Sequence, residues 1–179
     1  MSQMACKVVF IKEDFFKKNE HFVEILDPYD TKKQAKRNYA FLNVKCQNNN
    51  IFVPLRSKFN PNQGCGVIGY PVPTNNKPNA GLDFRKILIV NELSYIEFPS
   101  NPKIPNMQQK IINEKYKTIE NMVIQYIKGY MKSALKKREK RDKKYRFSTL
   151  HNFHNELGIV RALEEKEITE KQIATIKED

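Results

Sequence analysis

The chain has 179 residues, 40% of them hydrophobic, which fits one folded domain and excludes a disordered polypeptide. Its 32 Lys and Arg against 20 Asp and Glu leave a formal charge of +12, which points to an acidic partner, nucleic acid foremost. The three separated cysteines, Cys6, Cys46 and Cys65, argue against a disulfide scaffold or a thiolate zinc site, and no apolar run has the length of a signal peptide core or a membrane span, so a cytoplasmic protein is expected.

In chain order, Cys6 to Ile11 reads as a short apolar strand. Glu13 to Leu26, apolar at Phe15, Phe16, Phe22, Ile25 and Leu26, suits a short helix or a loop. Asp27 to Asn38 holds Pro28 and then the basic cluster Lys32, Lys33, Lys36 and Arg37. Strands are expected over Tyr39 to Cys46 and Ile51 to Leu55. Between them Gln47-Asn48-Asn49-Asn50 has hairpin-turn chemistry, because Asn tolerates positive φ. Asn60 to Ala80, rich in Pro, Gly and Asn, is expected to be a long functional loop. Leu82 to Val90 returns to strand, and Tyr95 to Phe98 adds another. Short strands without intervening helices suggest a small closed or nearly closed barrel.

Pro99 to Pro105 breaks this pattern. From Ile104 to Leu135 apolar residues recur at helical spacing, predicting an amphipathic helix bent at Gly129 whose stripe packs on the sheet. In Lys136 to Arg146, KKREKRDKKYR, only Glu139, Asp142 and Tyr145 are not basic. Ser148 suits an N-cap and Gly158 a helix stop. The fold class is therefore α+β. Residues 1–160 are expected to form a single domain, and 161–179 a charged helix or tail.

Four segments carry candidate chemistry. Gly64-Cys65-Gly66-Val67-Ile68-Gly69 satisfies G-x-G-x-x-G, but Tyr70-Pro71-Val72-Pro73 follows where a dinucleotide site needs a helix, so it reads as a loop. His151 and His154 share a helical face, but no further ligand offers itself in the sequence for a metal. They read as packing residues, with acid–base chemistry as the alternative. The run from Lys136 to Arg146 is either a solvated linker or a phosphate-tracking patch. The fourth segment is Ile51 to Lys58, where a hydrophobic strand ends at Pro54 and Arg56, Ser57 and Lys58 follow after Leu55. A hydroxyl flanked by two cations can hold a phosphate. Hairpin pairing would bring Lys36 and Arg37, which precede the partner strand, to the same edge.

The order of these features resembles the ToxN/AbiQ family of endoribonuclease toxins, the protein halves of type III toxin–antitoxin pairs. The resemblance rests on KRNYAFLNVKCQNNNIFVPLRSKF, on GLDFRKILIV before a helix, and on YRFSTLHNFHNELG, and it covers roughly residues 7 to 160. It implies a strongly bent antiparallel sheet like the small Kid/MazF barrel, with C-terminal helices. It also implies cleavage of RNA without metal or cofactor, leaving a 2′,3′-cyclic phosphate. The partner it implies is a repeated pseudoknot RNA antitoxin, processed by the toxin and held in a closed protein–RNA assembly. The chain departs from the pattern in three places. Arg56 stands where the family has a hydroxyl, Phe59 where it has a lysine, and Phe15 near the place of a tyrosine, which suggests a divergent branch nearer the TenpN group.

The expected function is a cytoplasmic endoribonuclease acting on cellular or phage mRNA by attack of a ribose 2′-hydroxyl on the adjacent phosphorus. Arg37, Arg56 and Lys58 are assigned to the phosphate and Ser57 to a hydrogen bond or proton relay. Tyr39 or Tyr70 is expected to stack a base. Lys32, Lys33, Lys36, Arg85, Lys86, Lys136, Lys137, Arg138, Lys140, Arg141, Lys143, Lys144 and Arg146 complete the RNA-facing set. A non-catalytic RNA-binding module and a DNA-binding protein are the alternatives. The latter requires a recognition helix.

Overall fold

The computed structural model describes residues 6–60, 66–101 and 104–178, and the backbone alone for 43–46 and 176–178. The chain begins with β1 (Lys7–Ile11) and α1 (Glu13–Lys18), whose acidic first turn and basic last turn complement the helix dipole. In α1, Phe15 and Phe16 are buried, and Phe15 meets Phe22 and Tyr95 edge to face. A short helix, α2 (Thr31–Ala35), starts where the Asp30 carboxylate accepts a 2.9 Å hydrogen bond from the Lys33 backbone N–H.

The hairpin is the centre of the sheet. Strands β2 (Tyr39–Cys46) and β3 (Asn49–Arg56) pair with Phe41 opposite Phe52 and Tyr39 opposite Pro54. Their turn is tighter than the four residues expected, because Gln47 and Asn48 alone make it. Both have positive φ, 54° and 62°, the geometry of a two-residue turn whose twist matches the strands. On its other side β3 meets two separate strands, β6 (Leu88–Ile89) along Ile51 and Phe52, and β5 (Gly81–Asp83) along Leu55 and Arg56. Pro54 falls between them. Leu55 donates its N–H to Asn38 on the β2 side at 3.0 Å, so the donor that Pro54 lacks would have pointed into the gap between β6 and β5. That is how a proline is accommodated inside a paired strand.

Strand β4 (Gly69–Pro71) pairs with β5 and strand β7 (Ile96–Glu97) with β1. The result is a seven-stranded antiparallel sheet in the order β4-β5-β3-β2-β1-β7, with β6 beside β3. The architecture is α+β, as expected, but the sheet is open: among the described residues β4 and β7 are its edges and do not meet. The expected single strand from Leu82 to Val90 is also broken. The Asp83 side chain accepts from Arg85 N–H at 3.1 Å and caps a 3₁₀ turn over Phe84–Lys86 between β5 and β6.

Two helices cover the sheet, α3 (Asn106–Glu114) and α4 (Tyr116–Ala134), with the interruption at Lys115 and not at Gly129. The buried stripe of α4 runs Ile119, Val123, Tyr126, Ile127, Tyr130, Ala134 and faces the core. After the basic run comes a 3₁₀ turn, Thr149–Asn152, capped by Ser148 through the Leu150 N–H at 3.3 Å. Gly158, at φ 67°, stands at the start of α5 (Ile159–Glu178) and does not end a helix of its own. Among the described residues no helix is long and apolar enough to cross a membrane.

Gly129 has a steric task. A Cβ there would stand 2.1 Å from the Tyr145 hydroxyl, and the Tyr145 ring is pinned edge to face by Tyr126 and Tyr130 at 5.3 and 5.7 Å. In an isolated helix Gly→Ala would help by about 1 kcal/mol. Here the clash wins, and Gly129→Ala is expected to lower the melting temperature by roughly 2–8 °C in a thermal scan. A variant as stable as the parent would mean that Tyr145 moves aside freely.

Candidate anion-binding site

Hairpin pairing brings the end of β3 beside the start of β2, and a pocket of about 300 Å³ opens at that edge. Its walls are Lys33, Lys36, Arg37 and Asn38 from α2 and the segment after it, Leu55, Arg56 and Ser57 from the end of β3, Lys77 and Ala80 from the loop between β4 and β5, and Ile104, Pro105 and Gln108 at the start of α3. Five of these residues are cations, and among the described residues the lining contains no carboxylate, imidazole or thiol. The expected meeting of Lys36 and Arg37 with Arg56 and Ser57 is therefore present in the geometry.

The cations are held from behind by two carboxylates. Asp83 has no accessible surface. It accepts from Arg56 Nη1 at 2.7 Å and from Arg85 through Nε at 3.0 Å and Nη2 at 3.1 Å. Asp27, at φ 53°, bonds the Arg37 guanidinium and the Lys33 ammonium, the latter at 2.7 Å. Burial raises the Asp27 pKa, but hydrogen bonds from Lys33 and Arg37, and their charges, outweigh it and hold the carboxyl below its usual value. Each carboxylate faces two cations, so each cluster keeps a net positive charge. At the pocket wall the Arg37 Nε–H and the Asn38 amide oxygen are buried without hydrogen-bond partners.

Ser57 is exposed at the pocket. Lys58 is exposed too but does not line it, whereas Lys77, absent from the sequence-based assignment, does. Lys77 projects from a tight turn in which Thr74 and Lys77 exchange backbone hydrogen bonds, both 3.1 Å. Its signal was the functional-loop character of Asn60 to Ala80, in which TNNKPN otherwise looks like turn filler. Phe59 ties this loop down: its ring lies so close to Gly69 and Gly81 that a Cβ would stand 2.1 and 2.5 Å from ring atoms. Gly69 of the G-x-G-x-x-G match is thus a packing glycine, while Gly64 and Cys65 lie outside the described residues.

Several expected contacts are corrected. Tyr39 retains 2% of its accessible surface and belongs to the core, so it presents no ring face to a base. Tyr70 is half-buried against the core, and Phe15 is buried. Arg85 is committed to Asp83, and Lys86 donates to the carbonyls of Glu24 and Phe147 at 2.6 and 2.8 Å, so neither is a free surface cation. Burial pushes the Lys86 ammonium below its ordinary value against the pull of Glu24 and Asp83. Lys32, Lys36, Lys136, Lys137, Arg138, Lys140, Arg141, Lys143 and Arg146 are exposed, while Lys144 is half-buried over the rings of Tyr126 and Tyr145. His151 and His154 both hydrogen-bond the Tyr130 hydroxyl, and burial pushes the His154 imidazole down. A carboxylate, Glu139, does lie beside them, contrary to the sequence-based reading.

These features define an α+β protein whose open antiparallel sheet carries a cationic pocket. No family model matches the chain, and no curated protein matches it. It is similar to a chain of a solved structure from work on bacterial type III toxin–antitoxin systems and selective toxin inhibition by a non-coding RNA pseudoknot. The TM-score is 0.51 at 17% identity, over 67% of this chain and 76% of the other. That likeness shows a common fold.

The clamp at Asp83 is open to test. Asp83→Asn keeps the shape but removes the buried carboxylate that Arg56 and Arg85 share, and breaking a buried ion pair typically costs about 3–5 kcal/mol. A fall in melting temperature of more than roughly 6 °C is expected. A smaller change would show that solvent relieves both guanidiniums.

Proposed function

We propose that this chain is the toxin of a type III toxin–antitoxin pair, an endoribonuclease that cuts RNA without a metal ion and is held in check by an RNA antitoxin. The observation that carries the reading is the gathering of Lys33, Lys36, Arg37, Arg56 and Lys77 around an exposed Ser57. It occurs on a fold shared with a chain from work on toxins inhibited by an RNA pseudoknot.

In this reading a phosphodiester seats in the pocket with its oxygens toward Arg37 and Arg56. The ribose 2′-hydroxyl gives its proton to solvent water as its oxygen attacks phosphorus in line, the bond to the 5′-oxygen breaks, and a 2′,3′-cyclic phosphate and a 5′-hydroxyl result. Guanidiniums fixed by Asp27 and Asp83 need not reorganise as charge builds on the phosphorane oxygens, which is where pre-set donors act most strongly. Ser57 adds a hydroxyl donor. The acids available to protonate the departing 5′-oxygen are the ammonium groups of Lys33, Lys36 and Lys77. The exposed run from Lys136 to Arg146 adds affinity through phosphates without reading bases. A DNA reader would need a basic recognition helix, and this run consists largely of turns.

A non-catalytic RNA-binding module is the second reading, favoured by the absence of any carboxylate or imidazole among the described residues of the pocket lining. Product ends decide between them, since a catalyst yields cyclic phosphates and a binder yields none.

Ser57→Ala is expected to reduce cleavage about 100- to 1000-fold. Its stability should change by no more than about 0.5 kcal/mol, because the hydroxyl is exposed. RNA affinity should barely move, because it is spread over many cations. Rate, melting temperature and affinity measured side by side check this, and undiminished toxicity at equal expression would remove Ser57 from the mechanism.

Lys77→Ala and Lys58→Ala form a matched pair, since each deletes one exposed loop cation. Only Lys77 lines the pocket, so its loss should slow cleavage at least about tenfold more than the loss of Lys58. Equal effects on cleavage would mean that bulk charge, and not the pocket, governs the rate.

A further inference from the structure

Outside the pocket, three side chains with metal-ligand chemistry meet beneath the basic run. Glu139 comes from the run itself, His151 from the 3₁₀ turn after it, and His154 from the turn that follows. One donor atom of each lies within 4.8 Å of the other two. Around four-coordinate zinc, with bonds of about 2.0–2.1 Å, donors stand roughly 3.3 Å apart, so modest side-chain rotation closes the set.

Glu139 is the informative member. The residue retains only 8% of its accessible surface, and its Oε2 is buried with no hydrogen-bond partner. Its basic neighbours Arg138 and Lys140 are exposed, and among the described residues no ion pair reaches it. A carboxylate so placed carries a large solvation penalty unless a cation meets it.

The imidazoles are already aimed. His151 Nε2 lies 3.2 Å from the Arg146 carbonyl oxygen, which can only accept, so Nε2 carries the proton and Nδ1 offers its lone pair. An imidazole that donates its outer N–H to a backbone carbonyl is the usual arrangement of a metal-ligating histidine. His151 Nδ1 and His154 Nε2 converge on the Tyr130 hydroxyl at 2.8 and 2.7 Å. A purely packed triad of Tyr130, His151 and His154 would satisfy those three groups. It leaves the Glu139 carboxylate without a partner, and a cation held by the two imidazoles in place of the Tyr130 hydroxyl supplies one.

We propose that Glu139, His151 and His154 bind a divalent transition-metal ion, zinc by the match of two imidazoles and one carboxylate. The ion ties the turn-rich basic run to the segment following it, and so fixes the outward cations of that run relative to the core. This site shares no residue with the anion pocket and does not rest on the ribonuclease reading.

The test uses the full chain stripped by chelator and titrated with zinc chloride, with calorimetry and thermal denaturation as readouts. One equivalent should bind with a dissociation constant below about 1 μM, and the melting temperature should rise by several degrees. Glu139→Gln and His154→Ala should each weaken binding at least about tenfold, while His21→Ala, outside the cluster, leaves it unchanged. Metal-free Glu139→Gln should melt no lower than the metal-free parent, because it removes the unpaired charge and keeps the shape. Zinc affinity weaker than about 100 μM in the parent, or unchanged affinity in Glu139→Gln, overturns the proposal. So does loss of binding on His21→Ala.

Discussion

Asp83 has no accessible surface, yet it accepts hydrogen bonds from two guanidinium groups and from the Arg85 backbone N–H. A lone carboxylate in that position would carry a large solvation penalty. It is tolerated because Arg56 arrives from β3 and Arg85 from the turn that Asp83 itself caps. One side chain therefore ends β5, starts the 3₁₀ turn that separates β5 from β6, and sets the direction of a pocket cation. The split of the sheet at Pro54 and the position of Arg56 come from the same local event. The pocket is thus a product of the way the sheet divides, not an addition to a finished scaffold.

Acidic residues follow a division of labour. Asp27 and Asp83 sit behind the pocket, Glu24 holds Lys86, and Glu139 is buried under the basic run. These four acids sit at or beneath the surface, whereas others such as Glu165 and Glu170 are exposed. The chain carries a net charge of +12. It gives long-range attraction for a polyanion that weakens with salt, while the carboxylates behind the pocket hold Lys33, Arg37 and Arg56 in place.

Much of the fold was readable from sequence because its signals were local. The hairpin was announced by apolar strands around Gln47 and Asn48, and the long helix by its stripe from Ile119 to Ala134. The convergence of Arg37 and Arg56 followed from antiparallel pairing alone. What was missed depends on tertiary contacts. Asp83 looks like an ordinary polar residue within a strand pattern until two guanidiniums close on it. Lys86 and Tyr39 look like surface groups until the core takes them, one by two carbonyl acceptors and the other by burial. Gly129 suggests a bend in sequence, but the approach of Tyr145 is what requires it. Lys77 reaches the pocket only because Phe59, resting on Gly69 and Gly81, fastens a loop whose composition gives no hint of that anchor.

The last helix, α5, departs from the rest of the molecule. Beyond Leu163 its described side chains are exposed, and what supports it is i,i+4 pairing such as Arg161 with Glu165 at 2.8 Å and Lys166 with Glu170 at 3.7 Å, together with an exposed ion pair to the basic run, Lys137 with Glu167 at 3.7 Å. Such pairs contribute only about 0.2–0.5 kcal/mol each, and a helix segment of this length without a packed face is marginal in water. Its far half is therefore expected to fray, with helix–coil relaxation in about 0.1–1 μs, and its amides to be less protected from hydrogen exchange than those of the core. Roughly 20 Å of helix thus extends past the core that carries the pocket, and its order should respond to temperature and salt more readily than the core does.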